Sequence, residues 1–203
     1  MKTKTFLRQI LCMLFFLPLM GISQTEQAKS YYKKIAFGSE FSNSKSGERK
    51  WLNDVKIYVM GSPETELKHE LDRVVQELND LIDPVTISVV TDRQESNVIV
   101  LFGSKQEFKA LAPSVAPYIE YNEGMFSISH SQNKIHSGAM YVNMEGNLTM
   151  NERKHLLREE LTQILGLCND SYQFENSIFY QGWTDTTEYA EIDKELITML
   201  YNN

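Results

Sequence analysis

The chain has 203 residues, of which 42% are hydrophobic, and a formal net charge of −7 at pH 7. This length is enough for one domain with a proper hydrophobic core. The acidic balance, without any cluster of lysine and arginine interleaved with aromatic residues, argues against nucleic acid and anionic membrane surfaces as partners.

The N-terminus has the regions of an export signal. Three basic residues accompany an apolar run at 10–20 that is too short to span a membrane comfortably. Small residues follow it and predict cleavage before Gln24, so residues 1–23 are expected to be a signal peptide. The mature protein would then be secreted or periplasmic and would keep no transmembrane segment. A retained N-terminal anchor is the alternative. Cleavage would leave Cys168 as the only cysteine, so no internal disulfide is expected.

The next segment, residues 24–50, is polar and includes a serine-rich stretch. Such composition predicts a loosely ordered lead-in that contains a loop. Order is expected to begin near Trp51, so that residues 51–203 form one domain. Ser62 followed by Pro63 predicts the N-cap and first turn of a helix.

Strands and capping signals follow one another along the rest of the chain. Ser104 with Glu107, and Thr149 with Glu152, have the spacing of capping boxes, so each pair should begin a helix. Alternating or β-branched runs predict strands at 56–60, 85–90, 97–102, near 126–128 and at 139–142.

Two helices are expected in the C-terminal part. The first should cover about 150–165, with Gly166 in a left-handed conformation as its stop, and the second about 187–201. Together with the strands, this order predicts an α+β fold with a mixed sheet and helices packed on it.

The stretch at 158–170 has the layout of a zinc-protease helix, H-E-x-x-H-x-x-G-x-x-H. In that pattern histidines bind zinc, and the glutamate acts as general base on the metal-bound water. Glu160 and Gly166 match the glutamate and the glycine. The three histidine positions are occupied by Glu159, Gln163 and Asn169.

On a helical wheel, Glu159 and Gln163 share a strip with His155, opposite an apolar side. Two adjacent carboxylates, an amide and an imidazole are suited to line a cleft. The alternative is that this strip is the solvated face of an ordinary amphipathic helix.

The chain resembles the zincins, and within them the metzincin branch. After Asp170 it continues to Ser-Ile-Phe-Tyr at 177–180, where metzincins have a Ser-Ile-Met-Tyr-like turn under the metal, and Phe179 stands at the methionine position. It also resembles an uncharacterised group of secreted bacterial zincin-like domains with Glu-Glu-x-x-Gln-x-x-Gly-Leu. The resemblance covers about 51–201 and implies a zincin-like fold with an active-site-type helix at about 150–165.

The same resemblance implies a degenerate metal site. Its ligand positions offer one carboxylate and two amides, Glu159, Gln163 and Asn169, so we expect no zinc. A harder divalent ion such as Ca²⁺ or Mn²⁺ is the alternative, with Asp170 as a substitute ligand.

The resulting hypothesis is a secreted, non-catalytic binding module that holds a peptide or a cell-surface protein in the former substrate cleft. His155, Asp170 and Phe179 would line that cleft. The alternative is an atypical hydrolase or peptidase that uses Glu160 as general base, with an unusual metal or none.

Overall fold

The computed structural model describes residues 19–37 and 47–202, with side chains described from residue 26 onward. The predicted basic and apolar regions of the signal peptide therefore lie largely outside the described residues. In the two described ranges, no helix is both long enough and apolar enough to cross a membrane.

A six-stranded sheet and five α-helices make up the described part, together with three short 3₁₀ turns. In chain order the elements are α1 (Leu19–Ala36), β1 (Lys50–Trp51), β2 (Val55–Gly61), α2 (Thr65–Leu81), β3 (Ile87–Val90), β4 (Val98–Gly103), α3 (Lys105–Leu111), β5 (Gly124–Ser131), β6 (Lys134–Asn143), α4 (Met150–Gln163) and α5 (Glu191–Tyr201).

The sheet is mixed. Strands β3, β2, β4 and β6 lie side by side in that order and are parallel, and the short β1 pairs with the start of β6. β5 runs antiparallel along the other side of β6. Gln132 and Asn133 join β5 to β6 with φ values of 50° and 63°, the conformation that suits a tight hairpin. The predicted α+β class with helices on a mixed sheet is confirmed.

The sheet is buried on both faces. Along β4, Val100 and Phe102 point into the larger core beneath α2, α4 and α5, whereas Leu101 points to the opposite face. There it packs with Tyr141 of β6 and Phe108 of α3. This alternation follows from the two-residue period of a strand and explains why β4 is apolar almost throughout.

Both predicted capping boxes are present. The Ser104 and Thr149 hydroxyls each accept a hydrogen bond from the backbone N–H three residues later, and the glutamate there bonds back. The expected N-cap of α2 is wrong: it is Glu64, not Ser62. The Glu64 carbonyl accepts the first helical bond, from the Lys68 N–H at 3.1 Å, which defines the cap position.

Helix α1 corrects the expectation of a loosely ordered lead-in before Trp51. Tyr31 and Ile35 have no solvent exposure, and Ala28 and Tyr32 are also buried. This i, i+3, i+4, i+7 spacing gives the helix one apolar side, which packs against α5. The serine-rich part of the expected lead-in lies mostly outside the described residues.

Gly166 holds the chain in a conformation that only glycine adopts easily. Its φ is +121°, and a Cβ there would overlap the Arg49 carbonyl oxygen. The predicted positive-φ stop after the site helix is confirmed. The next residues, Leu167 and Cys168, are buried in the core, so this sharp change of direction sets the path towards Asp170.

We predict that Gly166→Ala destabilises the domain by about 3 kcal/mol or more, because a positive φ costs a side chain about 1–2 kcal/mol and overlap adds about as much again. Gly146→Ala is the matched control, since Gly146 has φ +83° but open space around its Cβ position. It should cost only about 1 kcal/mol in urea unfolding. Equal losses in the two variants would contradict the role of the Arg49 contact.

Candidate functional site

From His155 onward, helix α4 is buried around its whole circumference. All nine residues from His155 to Gln163 are buried, including charged and amide side chains. Its polar strip is therefore not the solvated face of an amphipathic helix. α2 covers one side of α4, and β5 and β6 cover another. Buried polar groups need partners, so the contacts of this strip define the site.

Arg158 fixes the orientation of the helix. Its guanidinium has no solvent exposure and bonds Glu70 at 3.0 Å and Glu77 on α2. The guanidinium carbon also lies 4.4 Å from the centre of the Tyr189 ring. Burial opposes the charge of Arg158, but its bond to Glu77 and the charges around it outweigh burial and raise its pKa.

A cavity of about 300 Å³ lies on the side of α4 away from this ion cluster. Three segments enclose it: α4, the chain leading into β5, and the segment between α4 and α5. The lining residues are Tyr121, Asn122, Glu123, Gly124, His155, Leu156, Glu159, Glu160, Gln163, Asp170, Tyr172, Tyr180, Gln181, Gly182, Trp183 and Thr184. The predicted residues His155, Glu159, Glu160, Gln163 and Asp170 are thus brought together in one cleft.

His155 and Glu159 form an ion pair in this cleft. His155 Nδ1 lies 2.8 Å from the Thr186 carbonyl oxygen, and Nε2 lies 3.3 Å from Glu159 Oε2. A carbonyl and a carboxylate both accept hydrogen bonds, so a doubly protonated imidazolium satisfies both contacts. Burial disfavours that charge, but the bond to Glu159 and its negative charge outweigh burial and raise the pKa of His155.

Gln163 and Asp170 form the second pair. The Gln163 amide nitrogen donates to Asp170 Oδ1 at 2.7 Å. Asn169, the residue at the third ligand position of the sequence pattern, turns away from the cleft. Its amide donates to the Lys34 carbonyl at the end of α1, at 3.1 Å, and it does not line the cavity. Asp170 therefore extends into the cleft where the pattern would put Asn169.

Glu160 lies against the first residue of β5. A Cβ on Gly124 would stand 2.9 Å from Glu160 Oε1, so the absence of a side chain at Gly124 lets the strand approach the carboxylate closely. Glu160 is 6% exposed and lines the cavity. A glutamate at this point can meet a ligand in the cleft while most of its side chain stays buried.

The turn at 177–180 is buried beneath the cleft. Phe179 has no solvent exposure and belongs to the main core, so it supports the floor, while Tyr180 reaches the cavity. This differs from the predicted cleft position of Phe179. Asp193 of α5 anchors the turn, accepting from the Ser177 hydroxyl and from the Ile178 N–H at 3.1 Å.

Asp193 has a second role at the start of α5. The same carboxylate accepts from the Ala190 N–H at 2.9 Å, so one side chain joins the turn to the helix N-terminus. Burial raises the pKa of Asp193 to about 6, against the effect of these hydrogen bonds. Asp193 is not among the site residues that the sequence predicts, although an acidic side chain in the first turn of a helix is a capping signal.

The residues at the zinc-ligand positions do not fit a zinc ion. Glu159 is paired with His155, the Gln163 amide nitrogen is turned to Asp170, and Asn169 faces α1. Catalytic zinc needs three good ligands around an open position. Among the described residues, no group of three or more His, Cys, Asp or Glu side chains has a geometry that could hold a metal ion.

The fold and site define an α+β domain with a carboxylate-rich cleft beside a buried polar helix. A family model described as "Protein of unknown function (DUF2927)" matches residues 25–203, and the chain belongs to this family. Family membership gives no activity, so the function has to be inferred from the cleft.

Solved structures that are similar to the chain include two of myroilysin. One, "Crystal structure of myroilysin", is 11% identical with a TM-score of 0.48 and covers 77% of this chain and 87% of its own. The other, "Structure of myroilysin", is 12% identical with a TM-score of 0.47 and covers 76% of this chain and 96% of its own. A comparison with curated proteins finds no match.

We predict that the protein as it stands holds no stoichiometric zinc, and that replacing Glu159, Gln163 and Asp170 together by histidine creates zinc binding. The first two positions are one helical turn apart, and the third side chain already touches the second. A variant with Asn169→His in place of Asp170→His is the matched control and should bind zinc less tightly. Metal analysis after dialysis distinguishes them. Stoichiometric zinc in the unmodified protein would contradict the prediction.

We predict that His155 makes the domain less stable at alkaline pH. Its pKa is raised above the usual value of 6.5, so the stabilisation is fully present below about pH 6.5 and is lost as the pH rises through the folded-state pKa. His155→Gln should flatten this part of the profile of Tm against pH. His136→Gln, at an exposed position on β6, is the control and should leave the profile unchanged. If the two variants have identical profiles of Tm against pH, His155 is not the cause of the loss of stability at alkaline pH.

Proposed function

We propose that this domain is an exported, non-catalytic binding module and that the cleft beside α4 binds a segment of a peptide or a cell-surface protein. Export rests on the predicted signal peptide at 1–23. The binding role rests on the chemistry of the cleft.

The observation that carries the proposal is the pairing of the polar side chains at the ligand positions. Glu159 is satisfied by His155, and Gln163 by Asp170. Side chains that are bonded to one another in this way do not provide the ligands of a catalytic metal site. Neutral amides also cannot transfer protons at ordinary pH. What remains is a preformed concave surface with fixed hydrogen-bonding groups, which is what a binding site requires.

The shape of the cleft supports a chain-like ligand. It begins at the first residue of β5, and β5 is paired through β6 alone among the described strands. The side of β5 away from β6 therefore offers backbone groups to an extended segment. A peptide that adds along β5 would pass Gly124 and enter the cavity beside Glu160.

The test separates binding from hydrolysis. The purified protein is incubated with a pool of synthetic peptides, and mass spectrometry follows both retained peptides and new peptide ends. We expect retention, unchanged by a chelator, and no new ends. Gln181→Trp puts a bulky side chain at an exposed position of the cleft and should lower retention. Asn176→Trp, exposed on the same segment but outside the cavity, should not.

A different result would favour the enzyme. New peptide ends that appear with the unmodified protein and vanish with Glu160→Gln would establish a hydrolase with Glu160 as its base, because this change removes the carboxylate while keeping its shape. Retention that is equal in Gln181→Trp and Asn176→Trp would show that binding occurs elsewhere.

A further inference from the structure

The mouth of the cleft is aromatic. Seven large hydrophobic side chains are exposed in the described part of the chain, and three of them line this one cavity: Tyr121 at 90%, Tyr172 at 68% and Trp183 at 63% exposure. These three residues, the aromatic rim, come from two separate segments, before β5 and between α4 and α5. Exposed aromatic rings gathered around a concavity indicate a contact surface for a ligand.

The two rings of the rim that follow α4 are held in position. The Trp183 indole N–H donates to Glu152 Oε1 at 2.8 Å, which ties the ring to the first turn of α4. The Tyr172 ring meets the Tyr180 ring edge-on, with centroids 5.8 Å apart. A Cβ on Gly182 would stand 2.5 Å from Cε1 of Tyr180, so the glycine leaves that ring room against the chain. Rings that are fixed before a ligand arrives lose little conformational entropy on binding.

The carboxylates inside the cleft already have partners. Glu123 accepts a hydrogen bond from the Lys105 ammonium group at 2.8 Å. Two others belong to the pairs with His155 and with the Gln163 amide, and Glu160 also interacts with a neighbouring group. None of these described carboxylates therefore depends on a ligand for its only interaction, and the interior does not require an ion as its occupant.

Below the aromatic rim the lining is polar. Leu156 is the only aliphatic side chain among the described residues that line the cavity. A purely apolar ligand group would remove water from the amide, imidazole and carboxylate groups without offering them a bond. A hydroxyl group both donates and accepts, and a carboxylate oxygen has two lone pairs, so a hydroxyl can add a bond while the existing partner stays in place. The lining therefore suits a neutral ligand that is rich in hydroxyl groups.

A neutral sugar has both properties that the cleft requires, and we infer that the segment bound in the cleft carries one. The C–H groups on one face of the sugar ring lie against the aromatic rim, because the negative face of an aromatic ring attracts their weakly positive hydrogens. The sugar hydroxyls bond to polar groups of the lining, among them the Gln181 and Asn122 amides. An anionic sugar would bring a further negative charge beside the carboxylates. The inference rests on the proposed binding function and names the chemical group that is recognised.

The experiment repeats the peptide-retention test on the purified full chain with one pool in three forms. Each peptide has a central threonine that is bare, carries the neutral sugar N-acetylgalactosamine, or carries that sugar extended by sialic acid. We expect the neutral glycopeptides to be retained about 3- to 30-fold more strongly than the bare peptides, which corresponds to one aromatic contact with a few hydrogen bonds. The sialylated form should lose most of this advantage.

Variants of the aromatic rim locate the sugar. Tyr121→Leu and Trp183→Leu should each reduce the advantage of the neutral glycopeptides and leave the bare peptides unchanged. Tyr121 is 90% exposed, so its replacement should also leave Tm unchanged. Phe37→Leu is the matched control, because Phe37 is an exposed aromatic residue that does not line the cavity. If both rim variants keep the same advantage as Phe37→Leu, the rim does not bind the sugar and the inference is overturned.

The three forms of the pool separate this inference from the proposed function. Equal retention of bare and glycosylated peptides would overturn the sugar and leave the binding function standing. Equal retention of neutral and sialylated forms would overturn the preference for a neutral sugar. If no form is retained, both proposals fail. Binding of free N-acetylgalactosamine without retention of any peptide would overturn the glycosylated segment and assign the cleft to a free glycan.

Discussion

The burial of a polar helix is the constraint on which the rest of this structure depends. α4 carries Arg158, Glu159 and Glu160 in succession, and all three are inside the molecule. A buried charge is tolerated only with partners, so Glu70 and Glu77 of α2 must meet Arg158. That contact sets the rotation of α4 about its axis. Successive residues point about 100° apart, so fixing Arg158 also directs the two glutamates towards the cavity.

The segment between α4 and α5 supplies hydrogen-bond partners for buried side chains of α4, and it also forms part of the cleft. Its Thr186 carbonyl bonds His155, and its Tyr189 hydroxyl lies 2.7 Å from the Thr162 hydroxyl. The same segment contributes Trp183 to the rim. Because its polar contacts are made to α4, the segment keeps one path over the helix without forming regular strands. Asp193 bonds the Ser177 hydroxyl, so the segment is also tied to the start of α5.

Local signals in the sequence predicted what local interactions decide. The capping boxes at Ser104 and Thr149 and the positive φ of Gly166 needed only near neighbours, and they are present as predicted. The site differs from the prediction where contacts between distant parts of the chain determine the structure. Asn169 faces α1 because the chain turns at Gly166 towards a helix that was expected to be loosely ordered. The apolar residues of α1, among them Tyr31, recur with the period of a helix. The polar residues between them led to the prediction of a loosely ordered segment instead.

The buried position of Cys168 makes its thiol unreactive in the folded protein. The thiol is 4% exposed, lies 3.6 Å from the Gln163 carbonyl oxygen, and burial raises its pKa to about 12. A thiol in that state does not react with alkylating reagents, because the thiolate is the reactive species. Modification must await an opening that separates the end of α4 from the core. The rate of alkylation at Cys168 therefore reports how often the core around the end of α4 opens.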